Sequence, residues 1–135
     1  MAIIFLDANI LFSGSNPDSN LHRFLLYLID RHSLVSSPYA IYEAERNILA
    51  KRPQWQASCA DLLKKVKTVP DKALAVDAGL PDKDKPILGA AIAAKCHYLL
   101  TGDKRDFGHL YGMQIEGVTV IDSLSLAALL LDQDV

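Results

Sequence analysis

Cysteine is scarce in this chain of 135 residues, with only Cys59 and Cys96 present. The two are far apart and form no CxxC pair, which excludes a metal knuckle and gives no disulfide framework. Both fall in segments of helical periodicity and are expected to stay reduced as small core residues. Long apolar runs are missing as well. Met1–Asp7 is apolar but has no basic leader and no small-residue cleavage site, and Leu124–Leu131 is broken by Ser125. Neither is expected to act as a signal peptide or a membrane span, so the protein is expected to be cytoplasmic. An excess of positive charge is also lacking. The formal net charge is −2, which is not the signature of a general nucleic-acid binder. If nucleic acid is the substrate, local charge and bound cations must supply the attraction. Finally, the four histidines (His22, His32, His97 and His109) show no HxH or HxxxH spacing, so imidazole ligation of a metal has little support. The chain contains no internal repeat, low-complexity tract or linker.

Half of the residues are apolar and 22% are charged. At this length roughly two-thirds of the unfolded surface can be buried in one compact domain, expected over residues 1–135. Short apolar runs alternate with amphipathic ones. Ala2–Leu6, Ser33–Ser36, Val66–Val69, Tyr98–Leu100 and Val118–Ile121 read as five strands. Ser13–Ser19 reads as a loop, and Asn20–Arg31 as a helix with apolar positions at Leu21, Phe24, Leu25, Leu28 and Ile29. Ser37 caps a further helix, with Pro38 at its first position, that runs to about Lys51. Helices are also expected over about Gln54–Lys65 and Asp82–Cys96, with a short helix or turn in Lys104–Tyr111 and a final helix, capped by Ser123 or Asp122, to about Asp132. Asp71–Leu80 carries no clear pattern. This alternation implies βαβ units and a three-layer α/β/α architecture around a central, mostly parallel five-stranded sheet. Ligands in such folds sit beyond the carboxyl ends of the strands, near the point where strand order reverses.

Acidic residues follow the strands. Asp7 ends Ile3-Ile4-Phe5-Leu6, and Asp103 ends Leu99-Leu100-Thr101-Gly102. Asp82 and Asp84 stand at the start of the helix before Ile87-Leu88, and Glu43 and Glu45 lie on the helix entered after the second strand. Each has an ordinary explanation: Asp7 and Asp103 as turn residues, Asp82 as a helix cap, Asp84 as a partner of the helix dipole, the glutamates as solvated surface charges. The conjunction says more than any member. Two like charges about 5 Å apart at an effective dielectric near 20 repel by roughly 3 kcal/mol, and several such pairs at one sheet edge call for a divalent cation. All-oxygen ligands favour Mg²⁺ or Mn²⁺ over zinc.

Phe5-Leu6-Asp7-Ala8-Asn9-Ile10-Leu11 resembles the opening of PIN-domain nucleases, and Thr101-Gly102-Asp103-Lys104-Arg105-Asp106-Phe107 resembles their later acidic segment. Between them, Ser37–Glu43 looks like the second acidic motif, and Asp82–Ala91 like the third. The four motifs occur in order and span nearly the whole chain. The family includes VapC-type toxins of toxin–antitoxin pairs and RNA-processing nucleases. The resemblance implies a metal centre of Asp7, Glu43, Asp84 and Asp103 holding Mg²⁺ or Mn²⁺. It also implies that Asn9 orients the first carboxylate, Thr101 places a hydroxyl behind it, and Asp106 joins as an additional acid. Motif spacing selects Glu43 over Glu45 and Asp84 over Asp82, although Glu45 borders the expected core stripe of its helix while Glu43 points away from it. The first and fourth strands are expected to be neighbours, which would set Asp7 beside Asp103.

The implied activity is metal-dependent hydrolysis of RNA, leaving 5′-phosphate and 3′-hydroxyl ends. The acids act as ligands first, so no separate general base is assigned. Lys83, Lys85, Lys104 and Arg105 flank them, and Lys104 and Arg105 are the expected contacts to the RNA backbone. An antitoxin protein and a second copy of the chain are the partners implied, the latter through the leucine-rich final helix. A haloacid-dehalogenase-type phosphatase would need an acid where Asn9 stands, and a response-regulator receiver would need an acidic pair just after its first strand and a lysine after a later one. The alternative to an enzyme is a PIN-like RNA-binding or protein-assembly module.

Overall fold

The strands β1 (Ile3–Leu6), β2 (Ser33–Ser36), β3 (Lys67–Thr68), β4 (Tyr98–Leu100), β5 (Gln114–Ile115) and β6 (Val118–Ile121) form one sheet in the order β3-β2-β1-β4-β6-β5. These elements are those of a computed structural model, which describes residues 1–134; Val135, the last residue of the expected domain, lies outside the described residues. Every pairing is parallel except that of β5 with β6. Seven α-helices complete a three-layer α/β/α arrangement: α1 (Ala8–Gly14), α2 (Asn20–Arg31), α3 (Pro38–Lys51), α4 (Gln56–Leu63), α5 (Lys85–Ala93), α6 (Lys104–Phe107) and α7 (Ser123–Asp134).

The central strands are apolar on both faces because both faces are covered. Ile4, Phe5, Leu6, Leu99, Leu100 and Val120 have no exposed surface. Phe5 pairs with Leu99 and Leu6 with Leu100. The chain adds β2 and β3 on one side of β1, then returns to place β4, β6 and β5 on the other. Strand order therefore reverses between β1 and β4, and the residues that follow this pair face the crevice such a reversal opens. Among the described residues, no helix is long and apolar enough to cross a membrane. Cys59 and Cys96 are free and buried.

The sheet has six strands where five are expected. The additional one, Gln114–Ile115, folds back on Val118–Ile121 through Glu116 (φ 48°) and Gly117 (φ 88°). Two consecutive left-handed residues make the tight hairpin turn that matches strand twist. Glu-Gly is a weaker sequence signal for it than Asn-Gly, and a two-residue strand has no readable alternation.

The loop expected over Ser13–Ser19 starts too early. Asp7 accepts a hydrogen bond from the Ala8 backbone and leads directly into α1, which takes in Ser13 and Gly14. Gly14 is tolerated there because the Leu25 side chain fills the space of a Cβ. The helix expected from Asp82 begins at Lys85, with Asp84 in the preceding turn. The one expected from Gln54 opens as a 3-10 turn over Pro53–Trp55 before α4. Of the two cap candidates for α7, Asp122 is the one that accepts from the Ser125 backbone, at 2.8 Å.

Candidate metal centre

The β1–β4 pair carries two residues past its last rung. The Asp7 backbone N–H donates to the Leu100 carbonyl at 3.1 Å, and the Thr101 N–H donates to that of Ile121 at 3.1 Å. Both strands thus end in rigid ladder, and the side chains beyond are fixed by it. Asp7 is 4% exposed and Thr101 fully buried. The Ser36 hydroxyl at the end of β2 donates to the Leu6 carbonyl at 2.8 Å, bracing the strand end from the other side.

Asp7 is held on both oxygens. Oδ1 accepts from the Ala8 backbone at 2.7 Å, and Oδ2 accepts from the Thr101 hydroxyl at 2.8 Å and the Asn9 amide at 3.1 Å. Asn9 reaches further: its Oδ1 accepts from the Gly102 backbone at 2.7 Å. A Cβ at Gly102 would come within 3.3 Å of that oxygen, tighter than side chains usually allow. One amide therefore ties α1 to the loop after β4. Burial drives the Asp7 carboxyl up to about 6, although the bonds from Thr101, Ala8 and Asn9 oppose it.

Asp103 caps α6, its Oδ1 accepting from the Asp106 backbone at 3.0 Å. Asp84, Asp103 and Asp106 each offer a carboxylate oxygen, and these lie within 4.8 Å of one another. Asp84 is 8% exposed, and its Oδ2 is buried without a hydrogen-bond partner. Burial, then the hydrogen bond with Asp106, lifts the Asp84 carboxyl to about 7. That same bond, with the Lys83 ammonium 3.2 Å from Asp106 Oδ2, holds Asp106 below the usual carboxylate range. The two neighbouring acids are thus pushed in opposite directions, Asp84 up and Asp106 down.

Asp7, Glu43, Asp84 and Asp103 line one cleft, together with Ala8, Asn9, Phe12, Asn47, Lys51 and Lys83. Glu45 is exposed and lines a different depression with Ile48 and Cys59. The side chain of Asp82 is 97% exposed and pairs with Lys85 at 2.9 Å. The tight oxygen cluster takes in Asp106 and leaves Asp7 and Glu43 on the adjoining walls. Lys104 and Arg105 are exposed on α6 and are not among the residues lining the cleft. Its cations are Lys83, which was weighed from sequence, and Lys51, which was not. Lys51 and Asn47 follow Glu43 at four-residue steps on α3, a spacing that puts all three on one helix face. Tyr39 was also missed: its hydroxyl donates to the Lys83 carbonyl at 2.8 Å and pins the Asp82–Asp84 turn to the start of α3.

A hard divalent cation suits this set. Every donor is oxygen, as Mg²⁺ and Mn²⁺ prefer. The unpartnered buried oxygen of Asp84 is costly as it stands and calls for a positive group. Asp84, Asp103 and Asp106 are the residues placed to share it, with Asp7 and Glu43 beside them.

No family model matches the chain, and no curated protein matches it by sequence. Fifteen chains of known structure match its fold. VapBC2 from Rickettsia felis, crystallised bound to a DNA fragment from its promoter, superposes with a TM-score of 0.63 at 17% identity, covering 89% of this chain and 98% of that one. PAE2754 from Pyrobaculum aerophilum superposes with a TM-score of 0.68 at 22% identity, covering 98% and 91%. The chain therefore has a fold of the PIN/VapC type.

Proposed function

We propose that residues 1–135 form one nuclease domain, a Mg²⁺- or Mn²⁺-dependent ribonuclease that hydrolyses RNA phosphodiester bonds in the acidic cleft. The observation that carries this reading is the convergence of Asp7, Glu43, Asp84 and Asp103 on one cleft at the β1–β4 reversal, with a buried Asp84 oxygen lacking a partner. The PIN/VapC-type fold supports it.

Asp7, Glu43, Asp84 and Asp103 are assigned as ligands, with Asp106 as an additional acid. A divalent cation held by these residues would supply the positive charge that neutralises the carboxylates and the Lewis acidity needed for phosphodiester hydrolysis. The chain's own contribution is orientation. Thr101 and Asn9 fix the Asp7 carboxylate from behind. Asp103 is fixed by the Asp106 backbone. Lys83 neutralises Asp106 and stands at the cleft, where it attracts a phosphate. A cation would bind the deprotonated oxygens, so it would compete with protons at Asp7 and Asp84, whose carboxyls are raised to about 6 and about 7.

An antitoxin-type protein partner is part of the proposal, by likeness to the VapBC2 complex. A homodimer through α7 is a second part: Leu126 and Leu130 are buried, while Leu124, Leu129 and Leu131 remain 80%, 39% and 46% exposed. The deciding experiment uses metal-stripped protein, a panel of labelled RNAs, added Mn²⁺ or Mg²⁺, and an Asp7→Asn control. Metal-dependent cleavage that disappears in the variant is expected. Equal cleavage by the variant would identify a contaminant. Absence of both cleavage and Mn²⁺ binding at the acidic edge would turn the reading toward a binding or assembly module.

A further inference from the structure

The far wall of the cleft is chemically unlike its acidic floor. Glu43, Asn47 and Lys51 share one face of α3, and all three line the cleft with Phe12 of α1. Lys83 pairs with Asp106 and Lys85 with Asp82, but Lys51 makes no ion pair among the described residues. The Asn47 side-chain amide likewise makes no hydrogen bond among the described residues, leaving two donors and an acceptor available. Among the described residues, Phe12 is the single aromatic one lining the cleft. Its ring is backed by Trp55, with centroids 5.4 Å apart and planes at 53°, and the Arg52 guanidinium lies 5.6 Å over the Trp55 ring. An aromatic wall, an unpaired amide and an uncommitted cation within one cleft match the three parts of a nucleotide: a base face, a base edge and a phosphate.

On the nuclease reading above, we propose that Phe12, Asn47 and Lys51 form a subsite for one nucleotide flanking the bond that is cut. The base stacks on Phe12, Asn47 bonds its edge, and Lys51 meets the adjoining phosphate.

The test is equilibrium binding of a labelled mixed-sequence single-stranded RNA octamer, in Ca²⁺ with the RNA checked for integrity. Trp55, the sole tryptophan, reports occupancy by its emission. The octamer should bind and quench Trp55. Phe12→Leu should weaken it by about tenfold, the scale of one lost stacked base. Exposed Lys51→Ala should weaken it several-fold and lower the salt dependence by about 0.7 in the log–log slope. No binding to the unmodified protein, or wild-type affinity in both variants, would overturn the subsite. Cleavage in Mn²⁺ is scored separately. Cleavage with unaltered binding in the variants removes the subsite and leaves the nuclease; altered binding without any cleavage removes the nuclease and leaves the subsite.

Discussion

The Thr101 hydroxyl donates to Asp7 Oδ2 at 2.8 Å across 94 positions of sequence, joining the ends of the two strands between which the sheet reverses its order. This bond lowers the proton affinity of a carboxylate that burial otherwise raises. Thr101→Val keeps the shape but deletes the donor. Asp7 then holds its proton more tightly, and a cation competes for it less well. Mn²⁺ affinity at pH 7 should fall about tenfold, the usual scale for losing a group that orients a ligand, with Thr101→Ser recovering most of it. Isothermal calorimetry measures both; unchanged affinity in Thr101→Val would show that the hydroxyl does not support metal binding.

The protonation of Asp7 and Asp84 sets a direction for pH dependence. Both carboxyls sit above their ordinary value of 3.8, near 6 and 7. A group with a raised folded-state pKa contributes stability that is present below its unfolded pKa and lost as pH rises through the folded one. Metal-free protein should therefore lose several degrees of melting temperature between pH 5 and pH 8. Mn²⁺ needs the deprotonated oxygens, so it should raise the melting temperature more at pH 8 than at pH 5. Thermal melts at the two pH values, with and without Mn²⁺, test this; a metal-free melting temperature that rises with pH would contradict it.

Neighbouring acids should behave in opposite ways. Asp82 is exposed and bound to Lys85, so Asp82→Asn should change stability by no more than about 0.5 kcal/mol and leave cleavage intact. Asp84→Asn should abolish cleavage while stabilising the metal-free protein at pH 8, because it removes a buried charge without removing its volume. Glu43→Gln and Glu45→Gln should divide in the same way, the first losing activity and the second keeping it. Paired activity assays and urea melts resolve all four variants.

Gly89 on α5 is packed against backbone. A Cβ there would strike the Lys72 carbonyl oxygen and the backbone of Ala73. That segment cannot yield without moving the irregular connection that leads to Asp84. Gly89→Ala should cost about 2–4 kcal/mol, well beyond the usual effect of this substitution in a helix, and denaturant unfolding would measure it.

The acids were readable in the sequence because strand polarity places them: a hydrophobic run that ends in Asp states where its carboxylate lies. The β1–β4 neighbour relation follows from the family resemblance and agrees with the observed pairing of Leu6 with Leu100. The exposure of Asp82 and the burial of Asp84 were not readable, since both stand at a helix start and only the turn geometry separates them. Lys51 and Asn47 carried a signal, the four-residue spacing from Glu43, which becomes informative once that face of α3 is known to look into the cleft. Lys104 and Arg105 follow Asp103 directly, and the sequence did not tell that α6 sets them outside the cleft lining, exposed beside it. The α1 helix escaped because it starts at the carboxylate itself and ends after seven residues, too few for a period to emerge.

The distance in sequence between β1 and β4 bears on synthesis of the chain. Strand β1 leaves the ribosome well before its partner β4 and the acids that follow it. The cluster of Asp84, Asp103 and Asp106 is complete only once Asp106 has been added. A product that stops before residue 103 carries Asp7 and Glu43, and Asp84 if it reaches that far, but lacks Asp103 and Asp106. On the proposed nuclease reading such truncated products are expected to be inert, because the oxygens that would share a cation come together only after β4 has joined the sheet.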